Sequence, residues 1–228
     1  AGAAAIACAN LYISIGVKKE NITILDSKGV INSKRDDLNQ FKKNFISEKN
    51  INTLEEALIG ADVFLGVSVA DVLNEKMLKS MAKDPIIFAL ANPNPEVNYN
   101  FAVQTRPDAI VATGRSDFPN QVNNILGYPY IFRGALDVQA KKITEKMKIA
   151  AVFAISKIAK KEVTQEIHEI YNLKNIKFGK EYILPKMMDK RLLVEVSSSV
   201  AKAAIEDGVA RKKIEDWNEY EKKLSILI

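Results

Sequence analysis

Three short runs, apolar at every position, constrain the fold of this chain most: Val63-Phe64-Leu65-Gly66-Val67, Ile86-Ile87-Phe88-Ala89-Leu90 and Ala109-Ile110-Val111-Ala112. Strands of this kind are buried on both faces, as in a parallel sheet covered by helices. A fourth β-rich run, Ile22-Thr23-Ile24-Leu25, precedes them and ends at Asp26. Helical stretches lie between. Thr53 caps one over residues 53–58, with Glu56 placed to complete a capping box, and Asn74 caps another over 75–81. Strand and helix taking turns predicts an α/β fold, doubly wound around a mostly parallel sheet with helices on both faces.

From about residue 129 the text turns helical. Thr144 caps a helix whose apolar positions Met147, Ala150, Ala151, Ala154 and Ile158 keep helical spacing. Its other face carries Lys141, Lys142, Lys146, Lys148, Lys157, Lys160 and Lys161, which reads as a solvated face rather than a membrane-lying one. After a loop broken by Pro185, residues 191–207 form a long helix stopped by Gly208. A polar segment over 214–227 follows, anchored by Trp217 and Tyr220. The expected organisation is an α/β domain over 1–160 and a helical C-terminal extension over 161–228.

Composition excludes several classes. One cysteine, Cys8, rules out a disulfide framework, and one histidine, His168, rules out Cys/His zinc clusters. A reducing cytoplasm is the expected compartment. The net charge of +5 is spread along helices, so neither a nucleic acid nor a membrane is an expected partner.

The opening residues resemble the second half of a dinucleotide fingerprint, G-x-G-x-x-G/A. Gly2 stands where backbone approaches a pyrophosphate, with Ala3 and Ala4 beside it, and Ala5 where helix packs on strand. The helix start offers unpaired N–H groups to phosphate. Asp26 ends the next strand, about where the ribose-binding acid belongs. The first glycine and the first strand of such a Rossmann-like unit would precede Ala1, so the sequence is expected to be part of a longer chain. A tightly packed helix without ligand is the alternative for these residues alone.

Two further segments leave buried strands at the edge where ligands of open α/β sheets bind. In Ala91-Asn92-Pro93-Asn94-Pro95-Glu96, the Asn92 amide can hold a carboxylate or carboxamide without changing charge, although Asn-Pro is also a plain turn former. The block over 113–124, Thr113-Gly114-Arg115-Ser116-Asp117-Phe118-Pro119-Asn120-Gln121-Val122-Asn123-Asn124, is polar enough to be costly unless solvated or bound to something. The aromatics that follow, up to Phe132, are expected to pack in the core, and Arg133 and Asp137 are spaced to pair along a helix.

Gly2 to Ala5, the run 26–29, Ala91-Asn92-Pro93, the block 114–137 and the tail segments 182–186, 191–194 and 200–204 together resemble the NAD(P)-binding domain of bacterial malic enzymes. The resemblance departs at Ser197-Ser198-Ser199, where a small apolar, Pro-containing stretch is expected; this reads as a packing variation. It implies oxidative decarboxylation of malate to pyruvate and CO₂, with reduction of NADP or NAD and a divalent metal, Mg or Mn, as Lewis acid. It places the catalytic Tyr and Lys and the acidic metal ligands before the fingerprint, in an N-terminal domain of the same polypeptide. No catalytic residue and no metal ligand is therefore assigned within 1–228.

The resemblance implies that Asn92 and Asn124 bind malate near the nicotinamide, and that Gly2, Ala3, Ala4, Asp26 and Asn92 bind the cofactor. Ser27, Lys28, Lys42 and Lys43 stand where a 2′-phosphate could be received. An acid at Asp26 ordinarily favours NAD, whereas the neighbouring lysines shift the electrostatic balance toward NADP. A homo-oligomer is the expected assembly. The rival readings are a dinucleotide-binding module without turnover and an amino-acid or folate-type dehydrogenase domain.

Overall fold

The computed structural model describes residues 1–227. The chain forms two compact units, Ala1–Pro119 and Asn120–Ile228. This division falls earlier than the 160/161 boundary read from the sequence. The reason is packing: the lysine-faced helix over 145–160 buries its apolar stripe against the helices after it.

The first unit begins with α1 (Ala3–Ser14) and a hairpin of β1 (Leu25–Asp26) and β2 (Gly29–Val30). The expected strand over 22–25 shrinks to this antiparallel rung. A strand exists only through its partner's hydrogen bonds, and among the described residues nothing runs parallel beside Ile22–Leu25. The turn at Ser27-Lys28 closes because Asp26 Oδ1 accepts the Lys28 N–H at 3.0 Å, while Gly29 adopts φ +99°, a region that favours glycine. The Ala1 nitrogen donates to the Leu25 carbonyl, so the fingerprint turn lies against β1. Ala9, Ile24, Ile31, Leu38 and Phe45 form a small core under these elements.

Next come α2 (Gln40–Lys43), α3 (Leu54–Leu58), β3 (Val63–Gly66), α4 (Glu75–Ser80), β4 (Ile86–Ala89), α5 (Tyr99–Thr105) and β5 (Ile110–Thr113). Strands β3, β4 and β5 lie side by side in that order, both pairings parallel. Each helix starts as its sequence dictates. The Thr53–Glu56 capping box closes on α3, and Asn74 and Asn98 accept the Met77 and Phe101 N–H groups to start α4 and α5. Leu58, Phe64, Leu78, Ile87, Val97 and Val111 bury the faces turned to one another.

The second unit packs α6 (Tyr128–Asp137) and α7 (Glu145–Lys160) against α9 (Ser197–Glu206), with α8 (Gln165–Ile170) and α10 (Trp217–Ser225) outside that trio. Met147, Ala151, Ala154 and Ile158 of α7 face Leu192, Val196, Val200 and Ala204, and the lysines of α7 stay exposed. The long helix expected over 191–207 is not regular α-helix throughout. A π-helical turn, Leu192–Val196, leads into α9. It delivers Ser197 and Ser198 into the interior, with both Oγ atoms buried and without a hydrogen-bond partner.

The aromatics of α6 divide. Tyr130 and Ile131 pack on the core, but Tyr128 (64% exposed) and Phe132 (41% exposed) meet as tilted rings, centres 4.8 Å apart, on the outer face, so the core role expected for them does not hold. Arg133 Nε and the Tyr220 hydroxyl both donate to Asp137 Oδ2, at 2.8 and 2.7 Å, tying α10 to α6.

Helices α6 and α9 approach through Gly134. A β-carbon there would stand 2.4 Å from the Ser197 carbonyl oxygen and 2.9 Å from Val200 Cβ. In a free helix, Gly→Ala gains about 1 kcal/mol. Here overpacking at roughly 1–3 kcal/mol should outweigh that gain. Gly134→Ala is expected to lower the midpoint of denaturant unfolding; a raised midpoint would mean that α6 and α9 can separate freely.

Candidate functional site

Gly66, Ala89 and Thr113 end three parallel strands in one register, Gly66 opposite Ala89 and Ala89 opposite Thr113. The loops that follow therefore leave from one edge, the carboxyl edge where open α/β sheets bind ligands. On the middle loop, Asn92 is exposed and lies across the start of the third: its Oδ1 is 3.2 Å from where a β-carbon of Gly114 would sit. On the third loop, Phe118 stacks on Tyr99 at 4.6 Å and 16°. The Arg115 guanidinium stands 5.5 Å from the Phe118 ring centre and pairs with Asp117 at 2.7 Å. The buried Thr113 hydroxyl accepts the Arg115 N–H at 3.2 Å.

Beneath the first two loops lies Glu96, fully buried. Its Oε1 accepts the Ser68 N–H at 2.9 Å and the Ser68 hydroxyl at 3.3 Å, and its Oε2 accepts the Ala91 N–H at 2.9 Å. Sequence reasoning passed over this residue as part of an Asn-Pro turn. A carboxylate one residue before the buried Val97 was the available signal.

At the opposite end of the unit's sequence, Gly2 precedes α1 with φ −88° and ψ −178°, extended backbone open to any residue. Its lack of a side chain matters for space instead: nothing lies within 4 Å of where a β-carbon would be. Ala3 and Ala4 are exposed beside it, and no side chain caps the helix start. The first-turn N–H groups have no intrahelical partner and carry the positive end of the helix dipole. This open start suits an anionic group such as a pyrophosphate.

Asp26 stands in a dense charge cluster. Arg35 grips it with both terminal nitrogens, at 2.7 and 3.0 Å, and Lys42 Nζ reaches it at 2.5 Å. Arg35 in turn pairs with Asp37 at 2.9 Å, and Asp37 with Lys28 at 2.8 Å. The Arg35 guanidinium, followed by the Lys42 ammonium, holds the Asp26 carboxyl well below the usual carboxylate range. Two of the three lysines proposed for a 2′-phosphate thus already serve carboxylates: Lys42 serves Asp26 and Lys28 serves Asp37. Ser27 is exposed in the hairpin turn, and Lys43 is exposed at the end of α2. Arg35, absent from the sequence-based candidates, is the centre of the cluster; its signal was an arginine in the run Ser33-Lys34-Arg35-Asp36-Asp37 after the acid.

In the second unit, the polar block continues with three asparagines of different use. Asn120 is buried and staples its own unit, donating to the Lys180 carbonyl at 2.6 Å and accepting the Ile183 N–H at 2.9 Å. Asn123 caps a 3₁₀ turn, Asn124–Leu126, by accepting the Ile125 N–H at 3.0 Å. Asn124 opens that turn and is exposed. Among the described residues no cluster of three His, Cys, Asp or Glu side chains is placed to hold a metal ion, so no step is derived through a metal on this chain. A dinucleotide is another matter: an open helix start, an acid clamped at the end of the next strand and a carboxyl edge with an exposed amide fit one.

The sequence matches the family described as malic enzyme, NAD binding domain, over residues 1–207. An NADP-dependent malic enzyme of Halomonas elongata is 51% identical over 212 residues, covering 93% of this chain and 50% of that protein. An NAD-dependent malic enzyme of Rhizobium meliloti is 46% identical over 226 residues, 99% of this chain and 29% of that one. Among solved structures, the malic enzyme of Entamoeba histolytica superposes with a TM-score of 0.84 at 33% identity, over 99% of this chain and 46% of its own. The chain spans half the length, or less, of these proteins.

Proposed function

The chain belongs to the malic enzyme family, where it matches the NAD-binding domain, and from that premise we propose that its full-length protein oxidises malate and decarboxylates it to pyruvate and CO₂, with NADP as the preferred acceptor. The dinucleotide-binding part spans 1–160 in this reading, and 161–228 is a helical extension. The family match removes the amino-acid or folate-type dehydrogenase alternative. A domain of the same polypeptide before the fingerprint would contribute the Tyr, Lys and metal ligands that the resemblance requires. No helix among the described residues is long and apolar enough to cross a membrane; the cytoplasm is the proposed compartment, and a homo-oligomer the proposed assembly.

When bound, the nicotinamide cofactor supplies a hydride acceptor. The chain's own residues bind and orient. Gly2 and the first-turn amides of α1 would receive the pyrophosphate, and Asp26 with Ser27 would face the adenosine ribose. Asn92 would hold malate with its C2 hydrogen toward the nicotinamide, and Asn124 is taken as a malate-binding residue on the family resemblance. Neither amide titrates in the working range, so neither serves as acid or base. Their contribution is alignment, which carries much of the rate gain in such reactions.

The observation that carries the NADP preference is the Arg35 fork on Asp26. A bare carboxylate there would repel a 2′-phosphate, and this one is compensated by Arg35 and Lys42. Lys43 and Lys28 add positive charge close in sequence. In the full-length protein, Arg35→Gln should cut kcat/KM for NADP relative to NAD by about 10- to 100-fold, the scale of a charge-assisted contact of roughly 1.5–3 kcal/mol. Lys43→Gln should act in the same direction. An unchanged ratio in both variants would contradict the charge-compensation argument and return NAD as the acceptor.

Malate oxidation by the full-length protein is the test of the activity itself. Asn124→Ala should raise KM for malate and lower kcat/KM by about 10²-fold, as for a lost polar anchor, with the shape of the pH profile unchanged. Asn123→Ala should instead cost about 1 kcal/mol of stability, by loss of its cap, and leave malate binding near wild type. Absence of malate oxidation in the parent protein would overturn the function. Intact malate kinetics in Asn124→Ala would overturn the assignment of that residue.

A further inference from the structure

The buried carboxylate of Glu96 is not used by any step above, and its geometry is unusual for an interior group. Both oxygens are spent on backbone N–H groups of two different loops, Ser68 after β3 and Ala91 after β4. The backbone of the same segment continues the stitching. Pro95 O accepts the Asp71 N–H at 3.2 Å, and Glu96 O accepts the Leu73 N–H at 3.1 Å. With the Ser68 hydroxyl on Oε1, four bonds thus fasten the 91–96 turn to the loop that follows β3, while the Ala91 bond closes the turn on itself. Ala91 is buried, whereas its neighbour Asn92 and Ser68 are exposed; the strap lies beneath, and the exposed residues are what it presents.

Space for the strap comes from Gly66. A β-carbon on Gly66 would stand 2.3 Å from Glu96 Cδ and 2.6 Å from its Oε1. The backbone of Gly66 lies within β3, so the glycine is required for the approach of this carboxylate rather than for an unusual conformation. Gly66 and Glu96 form one device: the first clears the volume the second fills.

We propose that Glu96, seated on Gly66, is a positioning residue that fixes the Asn92 loop at the carboxyl edge, so that Asn92 faces the nicotinamide half of the cofactor and the substrate beside it. This rests on the reading of the chain as a malic enzyme's dinucleotide-binding domain. Glu96 holds the loop rather than acting in the reaction: both of its oxygens accept backbone N–H groups. The shape-conserving change to Gln defeats the strap, because an amide has one acceptor oxygen and an NH₂ that meets the second backbone N–H donor to donor. Asp keeps both acceptors and the charge but is one methylene short, so it should restore part of the function. Gly66→Ala should act as Glu96→Gln does, and because the two share one contact the double variant should fall short of the sum of the single effects.

The test uses the full-length protein with Glu96→Gln, Glu96→Asp and Gly66→Ala. Affinity for NADP is measured beside affinity for 2′,5′-ADP, which carries the adenosine half alone, together with malate kinetics. In Glu96→Gln, binding of 2′,5′-ADP should stay at the wild-type value, NADP should bind about tenfold more weakly, and kcat/KM for malate should fall by about 10- to 100-fold, with Glu96→Asp between the two. Equal loss of 2′,5′-ADP and NADP binding would overturn the inference, since that is the signature of general damage. So would NADP binding and malate kinetics unchanged in both Glu96→Gln and Gly66→Ala. If the parent protein binds NADP but does not oxidise malate, the functional reading fails by itself, and the contrast between 2′,5′-ADP and NADP still decides the role of Glu96.

Discussion

The parallel pairing of β3, β4 and β5 is the constraint on which the rest of the first unit depends. Parallel strands cannot be joined by tight turns, so each needs a crossover, and every crossover returns the chain to the same starting edge. All three strands then end together. Gly66, Ala89 and Thr113 are direct neighbours across the sheet, and the three loops that leave them are brought side by side although they are far apart in sequence. Asn92, Gly114 and the Tyr99–Phe118 stack meet there for that reason. The sheet holds this register because Ile87 and Val111 are buried among Phe64, Leu78 and Val97, and a one-residue slip would turn them to the opposite face.

A second organising feature is electrostatic. Asp26 would be a repulsive charge at the end of the hairpin if it stood alone. Arg35, Lys42, Asp37 and Lys28 turn it into an alternating network in which each carboxylate has a cation and Arg35 serves two acids at once. The bidentate geometry fixes Arg35 in direction as well as in charge. The same cluster that stabilises the hairpin turn thereby sets the potential that a phosphate would meet. In the proposed reading, fold and cofactor choice share one group of side chains here.

The sequence made the parallel core readable because its strands are apolar at every position and its helices begin with side chains that can only be caps, Thr53 with Glu56 and Asn74 among them. The weaker readings failed where a property depends on a distant partner. The run Ile22–Leu25 has strand composition, but a strand is defined by its neighbour. Tyr128 and Phe132 have core composition, but they sit one turn apart on the outer face of α6. The π-helical turn before Ser197 has no local signature in Leu192–Val196, and nothing in the structure explains why two serine hydroxyls are buried there without partners. That Gly2 precedes a helix, that Asp26 ends a strand and that Asn92 follows one was legible from spacing. Arg35 and Glu96 were not, because their roles follow from the side chains and backbone groups they reach across the fold.

In the proposed reading, the α1 start, the Asp26 cluster and the carboxyl-edge loops form one dinucleotide site. Amide hydrogen exchange of the full-length protein, with and without saturating NADP, tests it most directly. Added protection is expected in the first turn of α1, in the segment from Asp26 to Lys43 and in the loops around Ser68, Asn92 and Gly114. Protection confined to the helices beyond Asn124, or none at the α1 start and the carboxyl edge, would contradict it.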